Sequence, residues 1–256
     1  MRARAEDWPL HWRGIILGDR RILAVVPARS GSKGIPHKNM RIVHGMTLIA
    51  RAGALLSQLD FIDLALISTD SPEYAAEGRR HGLVAPVLRP PELSGDDAVV
   101  VDALQHALAA AEQHSDARFD IILVIEPTSP LRTADDLRAA TELLMSSGAD
   151  SVVTVSPLQP KAHPLKILNH ANGRLRFFAE EGRSIANRQE LSGEYFWRDG
   201  LCYALTRSCL IEKAGILTDN TVPLITRRPV VNIDEPLELV LAEHLLEQQE
   251  SGKVSS

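Results

Sequence analysis

Short apolar runs alternate with segments of helical periodicity through the first part of the chain. The runs have the composition of parallel strands buried on both faces, and they occupy residues 22–26, 64–68, 85–88, 120–125 and 150–155. Helices are predicted over residues 47–59 and 99–113 and after the capping residues Ser71 and Thr133. This alternation predicts an α/β, Rossmann-like fold, with a mostly parallel sheet and helices on both faces. Ligands bind such sheets beyond the carboxyl ends of the strands.

The alternation stops over residues 157–200, which are polar and contain Pro157, Pro160 and Pro164 in close succession. We interpret this segment as an insertion or lid that contacts a second subunit. Strands are predicted again over residues 200–206 and 229–234. Glu235 followed by Pro236 predicts the start of the last helix.

The same pattern divides the chain into one domain and two flanking segments. Residues 22–248 form the predicted domain, with the insertion inside it, and residues 249–256 form a polar tail. Residues 1–21 are interpreted as an N-terminal extension, either disordered or the product of a wrongly assigned start codon. They lack the apolar core and cleavage site of a signal peptide.

Composition and charge exclude several classes of partner. The chain has 256 residues, a formal net charge of −5 and only 4% aromatic residues, which argues against a nucleic-acid-binding surface. No apolar run approaches the roughly 20 residues that cross a bilayer, so no membrane partner is expected. The two cysteines, Cys202 and Cys209, have no metal-binding spacing and are expected to be reduced thiols of a cytoplasmic protein.

The loop after the first predicted strand combines glycines with positive charges. Over residues 27–39 it contains the glycines Gly31 and Gly34, the cations Arg29, Lys33 and Lys38, and the donors Ser30, Ser32 and Asn39. Glycines let backbone N–H groups approach phosphate oxygens, and cations offset their charge. The P-loop pattern GxxxxGK[ST] and the dinucleotide pattern GxGxxG are both absent. The loop therefore predicts triphosphate binding by a nucleotidyltransferase. Asp70 ends the next strand at the same edge, and either a role in the site or a helix cap would suit it.

Residues 26–39 resemble the signature of the acylneuraminate cytidylyltransferases, also called CMP-sialic acid synthetases. Further segments occur in the order that this family shows: 68–70, 89–96, 126–132, 163–166, 188–189, 199–203 and 232–234. The resemblance extends over residues 22–245. It implies a nucleotidyltransferase fold with a dimerisation insertion. It also implies transfer of CMP from CTP to the anomeric hydroxyl of a 2-keto acid sugar, with release of pyrophosphate.

The resemblance assigns roles by position in this sequence. Residues implied to bind the nucleotide are Arg29, Ser32, Lys33, Lys38 and Asn39 at the triphosphate and Arg89 at the cytosine. Residues implied to face the sugar are Glu126, Lys166, Arg188 and Tyr203, with Arg188 reaching across a homodimer interface. The implied catalytic residues are Arg29, Lys38 and Asp234.

Two positions depart from the pattern of the family. The first is the metal site, where the family shows Asp-x-Asp and this chain has Asn232 and Asp234. Residues i and i+2 of a strand share a face, so both can still bind Mg²⁺ (or Mn²⁺), although an amide oxygen is a weaker ligand than a carboxylate. Asp234 would equally suit a helix N-cap.

The second departure is Glu126, where many members of the family have a Gln that contacts the sugar. A carboxylate accepts hydrogen bonds without donating them, and its charge would repel the carboxylate of a sugar acid. This suggests an acceptor other than N-acetylneuraminate, such as a legionaminic- or pseudaminic-type sugar. Two alternatives stay open: a different acceptor, such as a Kdo-like acid or a phosphonate, and a non-catalytic nucleotide-binding homologue.

Overall fold

The computed structural model describes residues 20–95, 98–184, 191 and 193–251. Within these residues the strands are β1 (Ile22–Pro27), β2 (Ile42–Val43), β3 (Met46–Thr47), β4 (Leu64–Ser68), β5 (Ile121–Val124), β6 (Ser151–Pro157), β7 (Leu168–Ala171), β8 (Arg174–Phe177), β9 (Phe196–Thr206) and β10 (Thr221–Ile225). The α-helices are α1 (Leu48–Leu56), α2 (Pro72–Arg80), α3 (Val100–Ser115), α4 (Ala134–Ser147), α5 (Arg207–Ile211) and α6 (Pro236–Glu250). No described helix is long and apolar enough to cross a membrane.

One six-stranded sheet organises the domain, in the order β10-β6-β9-β5-β1-β4. β1 pairs in parallel with β4 and β5, and β6 pairs in parallel with β10. β9 is antiparallel to both β5 and β6, so its first residues lie beside the carboxyl ends of these two strands. The predicted mostly parallel, Rossmann-like sheet is confirmed, and β9 is the strand that runs the other way.

Helices cover both faces of the sheet, as predicted. One apolar cluster joins the sheet to α1, α2 and α4 through Ile49, Tyr74 and Leu137, which are fully buried. A second cluster joins the opposite face to α3 and α5 through Leu104 and Leu210. The predicted caps of two of these helices are also present, because Ser71 caps α2 and Thr133 forms a capping box with Asp136 at α4.

A third apolar cluster lies under the loop that follows β1. Ile35 of this loop packs with Leu131, Ile233 and Leu246, and all four side chains are buried. The cluster therefore joins the loop to the segment before α6 and to α6 itself. Burial of four large side chains contributes several kcal/mol, at roughly 1.5–3 kcal/mol each, so the position of the loop is determined by packing.

Two predicted strands are wrong. Residues 85–88 contain no strand, and the chain makes only an isolated bridge from Val84 to Leu66. Residues 229–234 are irregular, and Ile233 makes one backbone hydrogen bond, to the carbonyl of Thr128 at 2.8 Å. Both segments were assigned from their apolar side chains. Those of Val231 and Ile233 are indeed buried, but in the cluster under the loop rather than in the sheet.

Sequence reasoning missed β10, which occupies the edge of the sheet beside β6. Its central residue is Pro223, which has no N–H to donate and therefore argues against a strand. An edge strand tolerates proline because one side of the strand needs no partner.

The predicted insertion contains a hairpin of β7 and β8, which turns at Asn172 and Gly173 with φ of 54° and 72°. β9 begins at Phe196, before the predicted end of the insertion at residue 200. The hairpin carries exposed apolar side chains, including Leu168 and Leu175. The N-terminal extension lies outside the described residues up to residue 19, and the polar tail from residue 252.

The register of β6 and β9 shifts between Val153 and Val155, near Gly200, which has a φ of 72°. A Cβ at Gly200 would lie 2.6 Å from Ser129 Oγ and 2.8 Å from Asn232 Nδ2, and closer still to the Glu126 carboxylate. Position 200 therefore requires glycine for two reasons: its φ is positive, and a Cβ there would collide with neighbouring side chains.

Substituting Gly200→Ala should therefore destabilise the fold more than substituting Gly148→Ala. Gly148 has a φ of 67° but no described atom within 4 Å of its would-be Cβ, so it reports backbone strain alone, about 1–2 kcal/mol. Gly200→Ala adds overpacking, worth a further ~1–3 kcal/mol. Urea denaturation measures both free energies of unfolding, and equal losses in the two variants would contradict the close packing at Gly200.

Candidate active site

A cavity of about 540 Å³ opens at the carboxyl ends of the parallel strands. Eight residues that the sequence predicted for the site line it: Arg29, Ser32, Lys33, Lys38, Asn39, Glu126, Asn232 and Asp234. The first five come from the loop after β1, and the others come from the segments after β5 and before α6. Residues far apart in sequence meet here because parallel strands end at one edge of the sheet.

Asp70 holds the start of the loop in place. Its carboxylate accepts hydrogen bonds from the backbone N–H of Ser30 at 2.8 Å and from Ser30 Oγ at 2.7 Å. The helix cap is Ser71, so Asp70 anchors the loop and does not cap the helix. This anchor could have been found in the sequence, because an acidic residue that ends a strand beside β1 faces any loop that leaves β1.

Arg29 and Arg89 border a second, smaller cavity of about 280 Å³, which shares Pro27 and Arg29 with the first. The Arg89 guanidinium is buried, and burial lowers its pKa. It donates from Nη2 to the carbonyl of Ser68 at 2.6 Å and from Nε to Ser68 Oγ at 3.1 Å. Arg89 is thus held rigidly as one wall of a narrow slot, whose other walls include Leu93 and Ala103.

Lys38 and Asp234 both line the main cavity and form an ion pair, with Nζ 2.7 Å from Oδ1. The Asp234 side chain is 73% exposed, and an ion pair so exposed adds little to stability. Glu235, not Asp234, is the N-cap of α6, in a capping box with Glu238. The Asp234 carboxylate is therefore committed to the cavity and not to the helix.

Glu126 and Asn232, the two departures from the family pattern, are in direct contact. Asn232 Nδ2 donates to Glu126 Oε2 at 3.0 Å. Behind them lies Tyr203, whose pKa is raised by burial and further raised by the charge of the Glu126 carboxylate. The backbone of Glu126 is held by the buried guanidinium of Arg132, which donates from Nη2 to its carbonyl at 2.6 Å.

Two buried amide oxygens of the cavity, Asn39 Oδ1 and Asn232 Oδ1, have no hydrogen-bond partner among the described residues. The Asn39 amide is oriented by its NH₂ group, which donates to the carbonyl of Arg29 at 3.2 Å. An unpaired buried acceptor costs about 1–3 kcal/mol, so both oxygens are suited to a cation or a donor from a ligand. The carboxylates of Glu126 and Asp234 line the same cavity, so the oxygen atoms there are of the type that hard divalent cations prefer.

Of the predicted site residues that the structure describes, Tyr203 and Lys166 do not line the main cavity. Tyr203 is buried behind Glu126, and Lys166, which the structure does describe, is exposed on a short 3-10 turn outside the lining of the main cavity. Arg188 falls within residues 185–190, outside the described part of the chain. The predicted sugar-facing set is therefore represented in the cavity by Glu126.

Comparisons with known proteins show which family the chain resembles. The family model described as "Cytidylyltransferase" matches residues 23–190. The chain is 30% identical to the CMP-N,N'-diacetyllegionaminic acid synthase of Legionella pneumophila, over 91% of this chain and 100% of that protein. It is 25% identical to the pseudaminic acid cytidylyltransferase of Campylobacter jejuni, over 87% and 95% of the two chains.

A solved structure with a similar fold is that of CMP:2-keto-3-deoxy-manno-octonic acid synthetase complexed with CTP. Its TM-score is 0.64 at 16% identity, over 90% of this chain and 99% of that chain. The 4-diphosphocytidyl-2C-methyl-D-erythritol synthase of Anaerococcus prevotii aligns with a TM-score of 0.57 at 14% identity, over 89% and 99% of the two chains.

The close approach of Gly34 to Asp234 gives a test of the loop. A Cβ at Gly34 would lie 2.6 Å from the backbone carbonyl of Asp234, whereas one at Gly31 would meet no described atom within 4 Å. Gly34→Ala should push the loop away from the cavity and weaken CTP binding about 10-fold, the effect of losing one charge-assisted hydrogen bond. Gly31→Ala is the matched control, and calorimetry measures both affinities. Equal affinities would contradict the observed packing of the loop.

Proposed function

The chain belongs to the cytidylyltransferase family, as its resemblance to the acylneuraminate cytidylyltransferases predicts, and we propose that it joins CMP to a sialic-acid-like 2-keto acid sugar. The reaction uses CTP and releases pyrophosphate. One observation carries the proposal: three cations of a packed glycine loop, Arg29, Lys33 and Lys38, line one cavity with the carboxylates of Glu126 and Asp234. Cations bind the triphosphate, and the oxygen ligands suit the metal that accompanies it.

We infer that the triphosphate lies along the loop and the cytosine in the slot beside it. The slot and the cavity share Arg29, so a nucleotide can extend from one into the other. The Nε and Nη2 groups of Arg89 are already bonded to Ser68, so Arg89 contributes a rigid polar wall for the base. Ser32 and the loop amides supply neutral donors to the phosphates.

The chemistry is an in-line attack of the anomeric hydroxyl on the α-phosphorus of CTP. A new phosphorus–oxygen bond forms to the sugar, the bond to the β-phosphate oxygen breaks, and the hydroxyl proton is released. The demands on the protein are alignment of the two reactants and neutralisation of the charge on the departing pyrophosphate. Arg29 and Lys38 would neutralise that charge, and such donors each contribute about 3–4 kcal/mol in other enzymes.

We propose Mg²⁺, or Mn²⁺ in its place, as the cofactor. When bound, the metal would neutralise phosphate oxygens of CTP. Asp234, Asn232 and Glu126 are the residues that would hold it, because they offer oxygen atoms to the cavity. The Asp234 carboxylate pairs with Lys38, and binding of metal and triphosphate would give each member of this pair a new partner.

A legionaminic-type sugar is the acceptor that we favour. The similarity to a CMP-N,N'-diacetyllegionaminic acid synthase extends over 91% of this chain, which supports this choice. The similarity to the 3-deoxy-manno-octulosonate cytidylyltransferase of Gemmatimonas aurantiaca is 27% identity over 57% of this chain and 51% of that protein, so the shorter sugar acid is the alternative.

We further propose that the protein is a cytoplasmic homodimer whose insertion reaches the site of the partner. The exposed apolar side chains of the β7–β8 hairpin, Leu168 and Leu175, support a contact with a second copy. Both cysteines are free and buried, in keeping with a reducing compartment. Light scattering of the purified protein distinguishes a dimer from a monomer.

Pyrophosphate release tests the proposed reaction. The protein is incubated with Mg²⁺ and CTP, GTP or UTP over a panel of acceptors: N,N'-diacetyllegionaminic acid, pseudaminic acid, N-acetylneuraminic acid and Kdo. We expect release with CTP and fastest turnover with the legionaminic acid. Equal turnover of N-acetylneuraminic acid would contradict the choice of acceptor. Tight CTP binding without release on any acceptor would identify a non-catalytic nucleotide-binding protein.

In the same assay, Lys38→Ala and Arg29→Ala should each lower kcat about 100-fold or more, because each removes a donor to a developing charge. Lys213→Ala is a matched control, since it also removes a lysine from an ion pair with an aspartate, Asp150, at 2.6 Å and outside the cavity. Near-normal turnover in the two loop variants would exclude the loop from catalysis.

A further inference from the structure

Glu126 has a place in the site that its assignment to the sugar does not explain. Resting on the proposed function, we propose that Glu126 supplies a carboxylate ligand to the divalent cation of the CTP complex, and that Asn232 orients this carboxylate. On this assignment the metal site is formed by Glu126 together with Asp234, which lines the same cavity. At position 232 the neutral amide of Asn232 stands where the family pattern has a carboxylate.

The contact between the two side chains shows how the Asn232 amide is oriented toward the Glu126 carboxylate. Asn232 Nδ2 donates to Glu126 Oε2 at 3.0 Å, so the amide is turned with its NH₂ group toward the carboxylate. A carboxylate held by a donor keeps its second oxygen and its remaining lone pairs for another partner. The pair thus combines one carboxylate and one amide, with a single negative charge between them.

Gly200 packs against both side chains, and Arg132 holds the backbone of Glu126 and of Gly200. A Cβ at Gly200 would collide with the Glu126 carboxylate and would lie 2.8 Å from Asn232 Nδ2, so the pair packs directly on that backbone. Arg132 binds the carbonyls of Glu126 and Gly200 through one nitrogen, at 2.6 and 2.9 Å. The Glu126 carboxylate, restrained by Asn232 and by the backbone of Gly200, loses little conformational entropy when it binds a cation.

A second observation points to a cation at this place. Asn232 Oδ1 and Asn39 Oδ1 are buried acceptors of the same cavity, and neither has a partner among the described residues. Asn39 is only 5% exposed, and its amide orientation is set by the carbonyl of Arg29. Phosphate oxygens cannot satisfy an acceptor, whereas a metal ion or its bound water can.

Charge balance supports the same assignment. A carboxylate beside a triphosphate and a sugar acid repels both unless a cation lies between them. With a divalent cation bound, Glu126 stabilises the complex instead of opposing it. The site thus keeps two carboxylates, Glu126 and Asp234, although position 232 is Asn. The negative charge that is missing at position 232 is present at Glu126, which accepts a hydrogen bond from Asn232.

The test uses the dependence of CTP affinity on Mg²⁺, without turnover. Calorimetry gives the CTP dissociation constant in Mg²⁺ and in EDTA for the wild type, Glu126→Gln, Asn232→Asp and the double variant Glu126→Gln/Asn232→Asp. The ratio of the two constants measures the coupling between metal and nucleotide. Glu180→Gln, at an exposed carboxylate paired with Arg183, is the charge-matched control.

We expect Glu126→Gln to reduce this ratio about 10-fold or more, the usual cost of impairing a metal ligand, without weakening CTP binding in EDTA. The double variant has the hydrogen bond with donor and acceptor exchanged, and it should recover the ratio to within about 3-fold of the wild type. Asn232→Asp alone places two carboxylates in contact, so the melting temperature of this variant in EDTA should be lower than that of the wild type. Addition of Mg²⁺ should raise the melting temperature of the variant by more than it raises that of the wild type.

An unchanged ratio in Glu126→Gln overturns the assignment, and so does a double variant no better than Glu126→Gln. If the ratio stays unchanged while the preference among acceptors shifts, Glu126 reads the sugar and is not a metal ligand. Failure of the proposed function gives a different result, because the wild type itself would then show no Mg²⁺-dependent CTP binding and no pyrophosphate release.

Discussion

The buried guanidinium of Arg132 is the interaction on which the site depends. It binds the carbonyls of Glu126, Gly200 and Leu201, and so joins the segment that leaves β5 to the irregular part of β9. Burial lowers the pKa of Arg132 to about 10, and the neighbouring carboxylates of Glu126, Asp136 and Asp199 offset that effect. A buried charge without such partners would cost several kcal/mol. The charged Arg132 guanidinium therefore holds the segment after β5 against the irregular part of β9.

This constraint places an oxygen-rich wall opposite a cationic loop. The wall contains Glu126 and Asn232, packed on Gly200, and the loop contains Arg29, Lys33 and Lys38. The loop is joined below the cavity to the segment before α6 by the apolar cluster of Ile35, Ile233 and α6, and within the cavity Lys38 of the loop pairs with Asp234 at 2.7 Å. A cavity of this kind recognises a ligand that carries both signs of charge, as a metal-bound triphosphate does.

Sequence reasoning predicted the fold class because parallel strands and their helices carry local signals. It was wrong where burial had a different cause, as at residues 229–234, whose apolar side chains pack under the loop. It missed β10 because Pro223 is tolerated only at an edge, and the order of strands is not a local property. The loop residues and Asp234 could be grouped from their family resemblance, although their roles in binding remain predictions.

The contact of Glu126 with Asn232 could not be predicted, since 106 positions separate the two residues. From sequence alone they were two unrelated departures, one attributed to substrate choice and the other to metal affinity. In the fold they form one hydrogen-bonded pair.

The location of a bound metal tests most directly the proposal that Glu126 and Asn232 form part of the metal site. Crystals grown with CTP and Mn²⁺ would show the ion through its anomalous scattering. Our proposal predicts a peak within coordination distance of both Glu126 and Asp234 and of the CTP phosphates. A peak held by Asp234 and phosphates alone, with the Glu126 carboxylate turned away from it, would contradict the view that the pair of Glu126 and Asn232 forms part of the metal site.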